Sequence, residues 1–122
     1  MEPTYQHGKR ILVSRLFYKF QNPVRGDVIV LRHSDSHRIE IKRIVGLPME
    51  RVSLNRILSV NQIHLVEPYV RNVRTPGDDE TREWLLSHGE YFVLGDNRIH
   101  STDSRSYGPI KYSQIVGKVI DV

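Results

Sequence analysis

Lys42 is the residue of this chain best placed to act as a base. It lies in the run Ile41-Lys42-Arg43-Ile44-Val45-Gly46-Leu47-Pro48, among branched apolar residues. A lysine amine takes a proton only when it is neutral, and its reference pKa of about 10.4 keeps it charged at ordinary pH. Burial in an apolar strand disfavours the ammonium and lowers that value. Arginine, with its delocalised charge, cannot be tuned in this way. A neutral lysine can activate a serine hydroxyl, which is a weak nucleophile by itself. Strand alternation puts Lys42 on one face with Glu40 and Ile44. Glu40 works against the scheme, because a nearby carboxylate favours the ammonium. Reaching to the rim, or pairing with Arg38 or Arg43, would relieve that conflict.

A second polar run follows some fifty residues later: Gly95-Asp96-Asn97-Arg98-Ile99-His100-Ser101-Thr102-Asp103-Ser104-Arg105. Gly95 offers the backbone freedom of a tight turn. Alone, Asp96, Arg98, Asp103 and Arg105 read as an exposed polar loop, and a lone lysine in a strand reads as a solvated side chain. The two runs in this order, with Met1-Glu2-Pro3-Thr4 at the start, resemble type I signal peptidases, serine proteases whose general base is a lysine. The stretch from Lys42 to Pro48 matches the family's lysine motif without a break. Gly8, Ile11-Leu12-Val13, Asn22-Pro23, Arg25-Gly26-Asp27-Val28 and Ile115-Val116-Gly117-Lys118-Val119 carry the resemblance over nearly the whole chain. It is loosest over 50–90. Two departures stand out: Met49, where the family usually has glycine, and Glu40, where it often has an aromatic residue.

The resemblance implies roles. Lys42 is the general base, and Ser101 holds its amine in line. Asp96, Asn97, Arg43, Asp103 and Arg105 brace the site, with Asp103 and Arg105 in structural ion pairs. Met1, Tyr5 and Ile41 line the substrate pockets, Tyr5 being bulkier than the aliphatic residue often found there. The nucleophilic serine of the family directly precedes the Met-x-Pro-Thr run, a position that falls before Met1. Ser14 lies on the wrong side of that run, and Ser101 and Ser104 belong to the second motif. The 122-residue chain is therefore expected not to hydrolyse peptides. With the serine in place, the implied substrates are secretory precursors cut after an Ala-x-Ala signal sequence at the membrane surface, with the catalytic domain on the extracytoplasmic side. No metal or cofactor is implied. A repressor-type Ser-Lys protease is a competing reading, but those relatives lack the Gly-Asp-Asn-Arg run. A peptide-binding module on an inactive peptidase fold is another.

The elements that must position these residues are short strands. Val- and Ile-rich stretches recur between turn signals, which predicts a mostly β domain, a signal-peptidase-like sheet or barrel. Strands are expected at 11–13, 27–31, 39–45, 51–54, 57–60, 62–66, 91–94 and 115–122. The polar loop 33–37 suits a hairpin, and Asn55 and Asn61 suit turns. One short helix is expected over 79–87, with acids in its first turn and Gly89 after its end. Segment 67–90, with Pro68, Pro76 and Gly77, reads as an excursion or flap within a single 122-residue domain.

Composition narrows the classes further. Apolar residues make up 39% of the chain, enough for one packed core. The absence of cysteine excludes a disulfide scaffold and a thiol nucleophile. The net charge of +4 is scattered rather than clustered, which argues against nucleic acid as a partner. No apolar run reaches the ~20 residues of a membrane span. His33 and His37 flank Asp35 at a spacing that binds metal on a helix, but Ser34-Asp35-Ser36 favours a turn. Tyr5, Leu16, Phe17, Tyr18, Lys19 and Phe20 form a candidate rim toward lipid; the competing expectation is that they pack into the fold.

Overall fold

The computed structural model describes residues 1, 4, 8, 10–55, 57–65 and 81–120. Ten strands, β1 (Val13–Ser14), β2 (Val28–Arg32), β3 (Ile39–Gly46), β4 (Arg51–Asn55), β5 (Ile57–Val60), β6 (Ile63–His64), β7 (Arg82–Leu85), β8 (Glu90–Leu94), β9 (Ile110–Lys111) and β10 (Ile115–Val119), form two antiparallel sheets. One has the order β1-β10-β2-β3-β8-β9, the other β6-β5-β4-β7. Two single-turn helices, α1 (Phe17–Phe20) and α2 (Ser104–Tyr107), accompany them. The expectation of a mostly β fold holds.

The pleat sorts β3 and β8 into two cores. Ile44, Tyr91 and Val93 pack with Ile29, Leu31 and Ile110 on one face of the six-stranded sheet. Val45, Phe92 and Leu94 point the other way and pack with Val52, Leu54, Leu58, Val60 and Leu86, which joins the two sheets. Gly46 stands at this junction, where an added Cβ would lie 2.7 Å from Val52 and 2.9 Å from Phe92. The close approach of backbone to side chain therefore requires glycine.

The helix expected over 79–87 is not formed. Residues 79–80 lie outside the described residues, and Arg82–Leu85 is an edge strand paired with β4, Val52 opposite Trp84. The acids and Gly89 imitate helix caps. The deciding signal is the period of two that turns Trp84 and Leu86 toward the junction core and leaves Glu83 and Leu85 exposed. Gly89, with φ +69°, makes the turn into β8. The rest of the expected excursion, 67–78, also lies outside the described residues. The two α-helical turns among the described residues were not anticipated. Near α1, Phe17 and Tyr18 are half-buried, while Leu16 is 59% and Phe20 84% exposed. The Tyr18 hydroxyl donates to buried Asp27 at 2.7 Å. Asn61, with φ 49°, turns β5 into β6 as expected; Asn55 ends β4.

Candidate active site

Lys42 sits in the middle of β3, opposite Ile29 of β2. Strand alternation puts it on the face whose neighbours are Ile29, Leu31 and Ile44, all fully buried. Its amine donates to the Ser101 hydroxyl at 3.1 Å. Burial is the largest influence on this amine and outweighs the pull of the Glu40 and Asp103 carboxylates, so its pKa lies below that of an ordinary lysine. The positive charges of Arg105 and Arg38 act in the same direction as burial.

Ser101 belongs to the loop between β8 and α2, and this loop is tied down by buried polar groups. Asp103 is fully buried and accepts from the Gly95 backbone at 3.1 Å and from the Arg105 guanidinium at 2.9 Å through each oxygen. It also caps α2 by accepting from the Arg105 backbone. Arg105 reaches the Ser101 carbonyl at 3.4 Å. Buried Arg98 donates to the Gly95 carbonyl at 2.8 Å. The Ser104 hydroxyl accepts from the Val93 backbone at 2.9 Å.

Asp96, also fully buried, takes a two-pronged ion pair from Arg43 of β3, with both contacts at 2.8 Å. The same arginine donates to the Gly26 carbonyl at 2.8 Å. Thr4 completes the cluster. Its hydroxyl donates to Asp96 and accepts from Arg43. The Asp96 backbone donates to the Met1 sulfur at 3.4 Å. The start of the chain is thus held against the loop that carries Ser101.

Of the residues singled out in the sequence, Lys42 and Ser101 meet directly. The bracing pairs are Arg43 with Asp96 and Arg105 with Asp103. Asn97 is half-buried, and its carbonyl accepts from His100. Met1 and Ile41 pack in one apolar cluster with Val28, Val30 and Val119. By alternation Ile41 faces away from Lys42. Tyr5 lies outside the described residues.

Gly95 needs a different explanation from the one the sequence suggests. Its φ is not in the left-handed region. What the position demands is room: an added Cβ would overlap the Ser101 hydroxyl, lie 2.6 Å from the Ser101 Cβ and lie 3.6 Å from the Lys42 amine. Glu40 takes one of the partners expected for it. It pairs with Arg38 at 2.9 Å and not with Arg43, and it also accepts from His33 at 2.7 Å and from Tyr107 at 3.4 Å. Neither His33, weighed in the sequence only beside His37 as a metal ligand, nor Tyr107 was expected as a partner of Glu40. The hairpin register could have found the histidine, since His33 is backbone-paired with Arg38, two residues from Glu40.

The family model for signal peptidase, peptidase S26, matches residues 1–122. The chain belongs to the signal peptidase family. It is 36% identical to signal peptidase I V of Bacillus subtilis, covering 99% of this chain and 79% of that protein. It is 38% identical to signal peptidase I of Bacillus caldolyticus, covering 98% of this chain and 71% of that protein. The fold matches the crystal structure of a signal peptidase I from Enterococcus faecalis with a TM-score of 0.64 and 28% identity, over 80% of this chain and 97% of that one.

Proposed function

We propose that this chain forms the catalytic body of a serine endopeptidase that removes signal peptides from secretory precursors, with Lys42 as general base. The observation that carries the reading is the Lys42 amine: half-buried, depressed in basicity and in contact with Ser101. The two fully buried carboxylates nearby, Asp96 and Asp103, are each bound to an arginine. They brace the loop without forming an ion pair with the lysine.

In this reading the nucleophile is a serine immediately before Met1. Its hydroxyl attacks the scissile carbonyl and its proton passes to neutral Lys42. The lysine returns a proton to the leaving amine as the peptide bond breaks. Water then gives a proton to Lys42 as it attacks the acyl-serine; the ester bond breaks, the segment N-terminal to the cut leaves as the acid, and Lys42 returns the proton to the serine oxygen. The backbone N–H of that serine contributes to the oxyanion site. Ser101 keeps the amine in line for both transfers. The substrate binds extended along strand edges, and small residues of an Ala-x-Ala site enter apolar pockets lined by Met1, Tyr5 and Ile41. The work is done at the extracytoplasmic membrane surface. Among the described residues no helix is long and apolar enough to cross a membrane.

The test is cleavage of an Ala-x-Ala precursor peptide by a chain carrying a serine immediately before Met1, beside the same chain with Lys42→Ala and the 122-residue chain. Cleavage is expected from the first alone, with a loss of at least about 10³-fold in the lysine variant. A folded serine-bearing chain that binds the peptide without cutting it would make this a peptide-binding module. Cleavage that survives Lys42→Ala would remove the lysine from its role.

A further inference from the structure

Lys42 shares its strand face with a carboxylate two residues away, and that carboxylate has been drawn elsewhere. The Glu40 side chain is 11% exposed and accepts from His33 Nε2 at 2.7 Å, Arg38 Nη2 at 2.9 Å and Tyr107 OH at 3.4 Å. The donors come from the β2–β3 hairpin and from α2. The His33 ring packs edge-on against Tyr107, centroids 4.8 Å apart. These groups line a cleft of about 230 Å³ that extends to Thr102, the neighbour of Ser101. Neither a hydrogen bond nor an ion pair joins Glu40 to Lys42, whose amine goes to Ser101 instead.

This matters because a half-buried ammonium and a half-buried carboxylate on one face are each other's natural partners. Such a contact would take the amine off Ser101 and fix its proton. We propose that His33, Arg38 and Tyr107 form a clamp that holds Glu40 away from Lys42 and so leaves the amine on Ser101. The three are positioning residues for the base. The other groups around Lys42 follow the same rule. On the loop side Asp103 is bound by Arg105 and the Gly95 backbone. On the β2 side the facing residues, Ile29 and Leu31, are apolar.

The electrostatics agree with the geometry. Burial pushes Glu40 up, but the hydrogen bonds from His33 and Arg38 and the charge of Lys42 outweigh it, so Glu40 remains ionised. Burial, then Glu40 and Asp103, push the Tyr107 hydroxyl far above its ordinary value, so it remains a donor. Glu40 still raises the Lys42 pKa from a distance. Losing the clamp would strengthen that pull, and losing the Glu40 charge would abolish it.

The inference rests on Lys42 being the base, so its test reads the lysine directly. The Lys42 side-chain resonance of the 122-residue chain would be titrated by NMR in the unaltered protein, in His33→Phe with Tyr107→Phe, which leaves the Arg38 charge in place, and in that pair with Glu40→Gln added. The titration midpoint is expected to rise in the clamp variant and to fall back when Glu40→Gln is added. In a chain carrying the upstream serine, kcat/KM at pH 6 is expected to drop about tenfold in the clamp variant and to recover with Glu40→Gln. A midpoint indifferent to the clamp, or a rise that Glu40→Gln does not reverse, would overturn the clamp while leaving a depressed Lys42 as the base. An unaltered Lys42 that titrates like an ordinary lysine would remove the base itself.

Discussion

The junction core between the two sheets is built from Val45, Val52, Leu54, Leu58, Val60, Leu86, Phe92 and Leu94, without a charged side chain among them. The loop that follows β8, in contrast, buries Asp96, Arg98, Asp103 and Ser104 within nine residues. The first region draws its stability from apolar area removed from water. The second region carries a desolvation cost that its ion pairs and hydrogen bonds only offset. What that cost secures is a fixed position for Ser101, and through Ser101 for the Lys42 amine. One region holds the fold together and the other holds the Lys42 amine in place.

The sharpest way to separate the two roles is to damage each region and read stability and cleavage together. Asp96→Ala strips a buried carboxylate from Arg43 and is expected to cost about 3–5 kcal/mol in chemical denaturation. It should also lower kcat/KM per folded molecule, because the loop and the Thr4 contact lose their anchor. Leu86→Ala opens a cavity in the junction core and is expected to cost about 3 kcal/mol while leaving kcat/KM of the folded fraction unchanged. If Leu86→Ala depressed both readings equally, the division between a packing region and a positioning region would fail.

A second test acts on the site without removing any polar group. Gly95→Ala puts a methyl group where the Ser101 side chain lies. The serine must move, and the lysine loses its alignment. Displacement of a catalytic group by about 1 Å can cost 10²-fold, and a fall of that order in kcat/KM is expected, with a smaller effect on binding of an uncleavable peptide. Normal cleavage by Gly95→Ala would mean that Ser101 does not hold the base.

How much of this was legible depends on whether the signal was local. β3 and β8 announce themselves, because short runs of branched and aromatic apolar residues have few other uses in a chain of this polarity. The resemblance implies ion pairs for Asp103 and Arg105, and the fold shows that they pair with each other. The partner of Asp96 could not be read from proximity, since Arg43 is fifty-three positions away. β7 reads as a helix because acids and a glycine at the right spacing mimic helix caps, while its period of two, which turns Trp84 and Leu86 inward, is realised only by pairing with β4. Gly95 was recognised as special for the wrong reason. Sequence marks a glycine, but only the fold distinguishes a demand for φ from a demand for room.

The smallest expected effect concerns Met49, in the turn from the six-stranded sheet to the four-stranded one. Its φ of +71° lies in the left-handed region, which costs a residue with a Cβ about 1–2 kcal/mol. The turn cannot relax easily. Glu50 accepts from the Leu47 backbone and from both terminal nitrogens of Arg25, each at 2.7 Å, and its own N–H donates to the Leu47 carbonyl at 3.1 Å. Met49→Gly removes the strain, but glycine also loosens the unfolded chain, which takes back about 0.4–1 kcal/mol. The net expectation is a gain of about 0.5 kcal/mol in urea denaturation, with cleavage unchanged. A loss of stability would show that the Met49 side chain, which lines a shallow cleft with Leu85 and Leu86, contributes more than the backbone strain removes, and that this turn belongs with the packing region in its energetics as well as its place.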